Sequence, residues 1–180
     1  KIKDNLAPSW RDELEITDAL DNLLKQNNNI SYEKITDYWK DTGTPDDILH
    51  ANGEIIDKHP DFKSKYFVNN NSDVENFTIT NNVILGKNCK IDKDVIIHGP
   101  VIIGDDCEIL TNTTIGPNVS IGNNSTISVS LVKNSIIMDN CKICSSTEMK
   151  NSIIASNSEI KDETSSEKVF LLGEGSKISL

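Results

Sequence analysis

Three short stretches of the 180-residue chain contain side chains whose type and spacing could support chemistry. In "YWKDTG", the carboxylate of Asp41 stands where a turn begins and could bind a metal ion. In "VIIHGP", His98 is a candidate general base. In "CKIC", Cys141 and Cys144 have the spacing of metal and redox motifs. Whether any of these is a site depends on the elements that position it.

The first sixty residues favour a short α/β segment with two helices. The first helix is predicted by aliphatic residues at helical spacing, namely Ile16, Leu20, Leu23 and Leu24. "TPDDILHANGEIID" predicts the second, with Thr44 as its N-cap and Pro45 at its first position. Asp46 and Asp47 complement the positive end of its dipole. Two short helices cannot enclose a core, so we expect residues 1–60 to be the edge of a larger α/β domain.

Between the helices, "ISYEKITDYW" (residues 30–39) is rich in β-branched and aromatic residues, which predicts a strand. Ligands of open α/β sheets bind at the carboxyl ends of strands, where Asp41 would lie. Trp39, two residues earlier, could stack on a flat or ring-shaped ligand from the same side. A turn aspartate that only bonds local amides remains the alternative.

From residue 79 the chain changes to a six-residue repeat. An aliphatic residue occupies nine consecutive sixth positions: Ile79, Leu85, Ile91, Ile97, Ile103, Ile109, Ile115, Ile121 and Ile127. Small or apolar residues generally lie two positions earlier, and Asn or Asp dominates three positions later. Hexads of this kind predict a parallel β-helix, in which three strands form a coil and Gly, Asn or Asp forms the corners. Residues eighteen apart should then stack, as in Ile79–Ile97–Ile115 and Leu85–Ile103–Ile121.

The hexad register breaks after Ile127. The next expected inward residue is Ile137, followed by Ile143, Met149, Ile154, Ile160, Leu172 and Ile178. The predicted fold is therefore mainly β, with a parallel β-helix at residues 77–180, a polar linker at residues 61–76 and the α/β segment at residues 1–60.

The β-helix register weakens two of the three chemical candidates. His98 follows an inward isoleucine, so it should lie at an outward corner, where a surface histidine is the simpler interpretation. Cys141 should point inward and Cys144 outward, so they cannot share a metal ion. Cys89 and Cys107, eighteen residues apart, should stack inside the helix as small apolar side chains.

Composition excludes some classes of partner. The formal charge is −10 and the pI about 4.7, so we expect the chain to repel nucleic acid and anionic membranes. No apolar run is long enough to span a bilayer, and the N-terminal residues lack a secretion signal. With only four cysteines, these features favour a cytoplasmic protein.

Two stretches, "SWRDELEITDALDNLL" and "YWKDTGTPDDILHAN", resemble the closing part of sugar-phosphate nucleotidylyltransferases. The similarity is strongest to long-type glucose-1-phosphate thymidylyltransferases, which carry a left-handed β-helix after the catalytic domain. The stretch "VIIHGPVIIGDDCEI" resembles the amino-acid sequence of that β-helix. The resemblance implies a left-handed β-helix and the conversion of glucose 1-phosphate and dTTP to dTDP-glucose and pyrophosphate with Mg²⁺.

The same resemblance assigns roles to three residues. Asp41 corresponds to a metal-binding aspartate, and Trp39 to an aromatic residue that lines the sugar-nucleotide pocket. Arg11 corresponds to an arginine that faces the phosphates, although Asp12 stands where the family usually has glycine. The family's glycine-rich loop, second metal aspartate and sugar-phosphate lysine are not in this sequence. We therefore expect an inactive C-terminal part of an enzyme.

On this interpretation the β-helix is a structural module that forms homo-oligomers. Two alternatives remain open. One is a hexapeptide-repeat acetyltransferase, or a bifunctional nucleotidylyltransferase and acetyltransferase, with His98 as the base. The other is a non-catalytic assembly module.

Overall fold

The structure, a computed structural model, describes residues 6–60, 66–68, 73–74, 78–80, 82–146, 148–162, 171–172 and 177–179. The chain divides into two compact units, Lys1–Trp39 and Lys40–Leu180, which are described separately. Neither helix in the described part of the chain has the length and apolar character that crossing a membrane requires.

The first unit contains one helix, α1 (Ile16–Lys25), which confirms the first predicted helix. The predicted strand at residues 30–39 is wrong, because this stretch has no regular structure. Its apolar side chains are exposed, with Tyr32 93% and Ile35 63% accessible. Strand preference depends on packing against neighbouring strands, and the described residues of this unit contain no strand to pair with.

The second unit begins with α2 (Pro45–Asp57) and continues into strands. Through the regular hexads, the described strands are β1 (Tyr66–Val68), β2 (Asp73–Val74), β3 (Thr78–Thr80), β4 (Val83–Leu85), β5 (Lys90–Ile91), β6 (Ile96–His98), β7 (Val101–Ile103), β8 (Glu108–Ile109), β9 (Thr114–Ile115), β10 (Val119–Ile121) and β11 (Thr126–Ser128). The later ones are β12 (Leu131–Lys133), β13 (Ser135–Ile137), β14 (Lys142–Ser145), β15 (Glu148–Lys150), β16 (Ile153–Ile154), β17 (Glu159–Asp162), β18 (Leu171–Leu172) and β19 (Lys177–Ser179).

These strands form three parallel sheets that surround one core. The first sheet has the order β1-β4-β7-β10-β13-β16-β18, the second β2-β5-β8-β11-β14-β17-β19, and the third β3-β6-β9-β12-β15. From β1 to β14 each strand pairs with the third strand after it, as one complete coil requires, whereas β16 and β17 pair with β18 and β19, the second described strand after each. The fold is the predicted left-handed parallel β-helix, preceded by two short helices.

The predicted interior stacks are confirmed by strand register. Ile79 pairs with Ile97, and Ile97 with Ile115, in the third sheet. The stack Leu85–Ile103–Ile121 occupies the first sheet in the same way. The described residues two positions before the key aliphatics are also buried: Val83, Cys89, Val95, Val101, Cys107, Thr113, Val119 and Ser125. Phe77, predicted for the same role, lies outside the described residues.

The expected gap between Ile127 and Ile137 is wrong, because Val132 fills it. Val132 is fully buried and pairs with Ile115 below and Met149 above. The chain therefore takes two five-residue steps here rather than losing an inward residue. A step of five shortens a corner and leaves the strand stacking intact.

Asparagine and aspartate form corners of the β-helix, as predicted, and many of them adopt positive φ there. Six of the hexad positions do so within the regular region: Asn88, Asp94, Asp106, Asn112, Asn118 and Asn124. At one corner, side chains also bond the backbone of the neighbouring coil. Asp105 Oδ1 accepts from the Lys87 amide at 2.7 Å, and Asn123 Oδ1 accepts from the Asp105 amide at 2.8 Å. These contacts hold successive coils together.

Strand pairing begins before residue 77. Strands β1 and β2 lie within residues 61–76, and they pair with β4 and β5 respectively. The rest of that segment lies outside the described residues. The assignment of residues 1–60 to the edge of a catalytic domain remains a prediction.

Candidate functional site

The turn that carries Asp41 precedes α2 in the second unit. Residues 41–43 are all exposed, and a Cβ added to Gly43 would have no neighbour within 4 Å. Among the described residues, no hydrogen bond or ion pair engages the Asp41 carboxylate. The alternative of a turn aspartate that bonds local amides therefore has no contact to support it, and Asp41 is available to a ligand.

The two ends of this turn are held by one carboxylate, that of Asp47. Lys40 Nζ lies 2.8 Å from Asp47 Oδ1. Thr44 Oγ1 donates to Asp47 Oδ2 at 2.6 Å, and the Asp47 amide donates to Thr44 Oγ1 at 3.2 Å. Thr44 is the N-cap of α2, with Pro45 in the first turn, as predicted. Asp47 thus links the residue before Asp41 to the residue where the helix begins.

The same contacts perturb the acidity of Asp47. Its pKa is lowered below the ordinary value, first by the hydrogen bond from Lys40 and then by that from Thr44, against a smaller opposing effect of desolvation. The carboxylate is therefore ionised at neutral pH, which both contacts need.

The buried face of α2 packs on the β-helix. Leu49 and Ile56 are each only 2% exposed, and α2 contacts β10 and β13. The Ser120 hydroxyl of β10 donates to Asn52 Oδ1 at 2.6 Å. The side-chain nitrogen Nδ2 of Asn52 is buried and has no hydrogen-bond partner among the described residues. The helix is therefore anchored to the first sheet by apolar packing and one short hydrogen bond.

A groove with a volume of about 480 Å³ runs beside α2 at the corner of the first sheet. Its lining includes His50, Glu54 and Asp57 of α2 and the corner residues Asn118 and Asn134. Lys58 neutralises Glu54 through a 2.7 Å ion pair, which lowers the pKa of Glu54. The groove is polar and open, and it does not include the turn at Asp41.

Arg11 and Trp39 belong to the first unit, whereas Asp41 belongs to the second. Arg11 is exposed, pairs with Glu15 Oε1 at 3.0 Å, and lies 5.5 Å from the centre of the Trp10 ring. Asp12 has φ 60°, the left-handed region that favours glycine. The aspartate therefore adopts a backbone conformation suited to the glycine that the family usually has there.

Trp39 is 69% exposed. Its indole ring is therefore accessible to a ligand. The roles predicted for Arg11, Trp39 and Asp41 remain predictions.

The turn at Asp41 offers only part of the ligand set that a magnesium ion needs. Carboxylate oxygen is a preferred ligand of Mg²⁺, and this ion is often held by one or two carboxylates together with substrate phosphates. Asp41 provides one exposed carboxylate. No group of three or more His, Cys, Asp or Glu side chains that could hold a metal ion occurs in the described ranges. Asp41 could therefore contribute one ligand, and further ligands must come from elsewhere.

His98 is exposed at the end of β6, as predicted. Its Nδ1 lies 2.8 Å from Thr80 Oγ1, directly below it in the third sheet. This contact orients the imidazole and directs Nε2 away from Thr80. The next position in this column is Gly116, where a Cβ would collide with the His98 carbonyl oxygen.

The cysteines have the predicted orientations. Cys89, Cys107 and Cys141 are buried thiols, and Cys144 is partly exposed. The thiols of Cys89 and Cys107 donate to the carbonyl oxygens of Gly104 and Gly122 at 3.0 and 3.1 Å. The pKa of Cys107 is raised by its contact with Cys89 and by burial. Burial likewise raises the pKa of Cys141. These thiols serve as interior packing groups.

Sequence reasoning missed Lys40 and Ser120. The ion pair between Lys40 and Asp47 spans a turn whose path the sequence does not define. Ser120 meets Asn52 across 68 positions, and no local pattern signals such a contact. The Thr-x-x-Asp spacing of Thr44 and Asp47 was a usable signal, because it resembles a capping box.

Two family models match different parts of the chain. The model described as "Nucleotidyl transferase" matches residues 1–58. The model described as "GMPPB C-terminal domain" matches residues 97–179. The first match includes α1, the turn at Asp41 and α2, and the second falls within the β-helix.

Curated relatives match across both parts. The chain is 30% identical over 178 residues to a glucose-1-phosphate thymidylyltransferase of Streptomyces antibioticus, covering 97% of this chain and 48% of the relative. It is 31% identical over 143 residues to the low-salt glycan biosynthesis nucleotidyltransferase Agl11 of Haloferax volcanii, covering 79% and 38%. It is 36% identical over 166 residues to the bifunctional protein GlmU of Methanococcus aeolicus, covering 79% and 33%. The chain therefore spans a third to a half of the length of these relatives.

Proposed function

The chain is a partial member of the sugar nucleotidyltransferase family with a β-helix C-terminal domain, and we propose that the complete protein is a sugar-1-phosphate nucleotidylyltransferase. The proposed reaction joins glucose 1-phosphate and dTTP to give dTDP-glucose and pyrophosphate. The observation that carries this proposal is the exposed carboxylate of Asp41, which has no hydrogen bond or ion pair within the described part of the chain and lies in the segment that the nucleotidyl transferase model matches. The thymidylyltransferase relative supports this choice of sugar and nucleotide.

In this reaction a phosphate oxygen of the sugar 1-phosphate attacks the α-phosphorus of the nucleoside triphosphate, and pyrophosphate leaves. Bound Mg²⁺ would neutralise negative charge on the phosphates. Asp41 would hold the ion through its carboxylate. Residues that complete the ligand set are proposed to lie in another part of the complete protein.

Arg11 and Trp39 are proposed to bind the substrate. The Arg11 guanidinium can exchange its exposed Glu15 partner for a phosphate oxygen, since a surface ion pair is a weak restraint. The exposed Trp39 ring can cover the face of a sugar or base. The β-helix is proposed to act as a structural and oligomerising module.

The test uses the complete protein with Mg²⁺, a panel of sugar 1-phosphates and a panel of nucleoside triphosphates. We expect pyrophosphate release and a nucleotide-sugar product identified by mass, with glucose 1-phosphate and dTTP among the best pairs. A different preferred pair would correct the substrates and keep the reaction. No product from any pair would contradict the proposed function.

A second candidate is a bifunctional protein whose β-helix also transfers an acetyl group. Similarity to a relative named bifunctional protein GlmU favours it, as does the oriented imidazole of His98. A general base needs a ring nitrogen directed at the acceptor, and the Thr80 contact leaves Nε2 for that role. Acetyl-CoA binding that is lost in His98→Ala would establish this candidate. Binding that is absent, or unchanged in His98→Ala, would remove it.

A further inference from the structure

Asp47 differs from its neighbour Asp46 in what it contacts. Both aspartates stand in the first turn of α2 and carry the same charge. Only Asp47 touches the turn: Oδ1 pairs with Lys40, and Oδ2 accepts from Thr44. Among the described residues, Asp46 forms no ion pair or hydrogen bond with either. The three residues between these contacts are Asp41, Thr42 and Gly43.

We propose that Asp47 is a positioning residue, which holds the turn between Lys40 and Thr44 so that the Asp41 carboxylate has a fixed location for its metal ion. This inference rests on the proposed function, since the metal role of Asp41 gives the positioning its consequence.

The physical need for such a restraint follows from the turn itself. Residues 41–43 are exposed, and Gly43 has open space around it, so the turn gains little order from packing. An unrestrained carboxylate would lose conformational entropy when it binds a metal ion, which weakens binding. Contacts at both ends of a three-residue segment remove much of that freedom in advance.

The restraint extends from Asp47 to the β-helix. Asp47 belongs to α2, which is anchored by buried Leu49 and Ile56 and by the hydrogen bond between Ser120 and Asn52. The β-helix core is continuous and buried on all three sheets. The Asp41 turn is therefore connected, through α2, to a β-helix with a buried core. On this proposal the β-helix supports the geometry of the site through α2.

The lowered pKa of Asp47 supports the proposal, because it reports that both partners favour the ionised carboxylate. Asparagine at this position keeps the size of the side chain but loses the charge that holds Lys40. Asp46→Asn removes the same charge from the same helix turn and so provides a matched control.

The first experiment measures backbone order parameters of residues 41–43 by NMR in this 180-residue chain, without metal. In Asp47→Asn we expect them to fall from about 0.85 towards 0.6 or below. In Asp46→Asn we expect no change. Lys40→Met should give an intermediate fall, because the Thr44 contact remains, and Lys40→Arg should preserve the rigid turn. Equal order parameters in Asp47→Asn and Asp46→Asn would overturn the proposal.

The second experiment measures the Mg²⁺ concentration for half-maximal rate in the complete protein. We expect it to rise about tenfold or more in Asp47→Asn, with a smaller change in kcat at saturating Mg²⁺, and to stay unchanged in Asp46→Asn. A looser turn without a change in the Mg²⁺ requirement would overturn the positioning role. If the unaltered complete protein makes no nucleotide sugar, the proposed function fails instead. The order parameters still test, independently of activity, whether Asp47 holds the turn.

Discussion

A single carboxylate with two partners is the main organising feature at the scale of residues. Exposed ion pairs usually contribute little to stability, because solvent screens the charges and two long side chains lose freedom. Asp47 differs because one of its partners, Thr44, is already held as the helix cap. The Thr44 hydroxyl donates to the Asp47 carboxylate and accepts from the Asp47 backbone amide, so the Lys40 ammonium meets a group with a defined orientation. The main effect of this arrangement is to orient the carboxylate rather than to stabilise the fold.

The acidity of Asp47 provides a test of these contacts. We expect a carboxyl NMR titration to give a pKa below the ordinary 3.8, and Lys40→Met to raise it, since the Lys40 hydrogen bond is the largest cause of the shift. A lowered pKa stabilises the fold above the unfolded pKa, and this contribution is lost as pH falls through the folded pKa. Lys58→Met, which removes the partner of Glu54, is the control and should leave Asp47 unchanged. An Asp47 pKa that is insensitive to Lys40→Met would show that the ion pair does not form in solution.

At the scale of elements, the β-helix was predictable because each hexad position has one structural role. The six-residue repeat defines which residues of β4, β7 and β10 point inward, so nine regularly spaced positions predict the stacks without further information. The strand at residues 30–39 could not be judged this way. Its composition favours extended structure, yet a strand needs a neighbour, and composition does not reveal whether one is present.

Val132 is an inward residue that the six-residue repeat does not predict. A search for six-residue steps passes over it because the chain takes two five-residue steps to Ile137. The burial of Val132 and its pairing with Ile115 show that the coil tolerates a shorter corner.

The candidate site was also only partly predictable from the sequence. The Thr44 cap follows from local sequence, whereas the contacts of Lys40 and Ser120 depend on the path of the chain.

The glycines of one corner give a prediction for the β-helix. A Cβ at Gly104 would lie 2.5 Å from Asn123 Oδ1 and 2.9 Å from the Asn123 amide nitrogen, where the next coil stacks. We expect Gly104→Ala to lower stability by about 1–3 kcal/mol, because overpacking must displace that coil. Urea denaturation measures the change.

Gly43→Ala is the matched control, because its Cβ would have no neighbour within 4 Å. Its unfolding midpoint should stay close to that of the unaltered chain. A Gly104→Ala variant as stable as Gly43→Ala would mean that adjacent coils do not approach as closely as the structure describes.

At the scale of the whole molecule, the negative net charge of the chain is unfavourable for binding the proposed phosphate substrates. The formal net charge is −10, whereas the proposed substrates are phosphates, which an acidic surface repels. The cation proposed to bind Asp41 and the guanidinium of Arg11, which is proposed to bind a phosphate, would each supply positive charge. The chain spans only a third to a half of the length of its relatives, so other basic groups are proposed to come from the rest of the complete protein.

The most direct test of the central claim is the rate of nucleotide-sugar formation by the complete protein carrying Asp41→Asn. We expect a loss of about 100-fold or more, because the carboxylate is proposed to hold the ion that neutralises the reacting phosphates. Asp46→Asn, an equal change of charge five residues away, should retain the unaltered rate. An Asp41→Asn protein that forms product as fast as Asp46→Asn would contradict the assignment of this turn to the catalytic site.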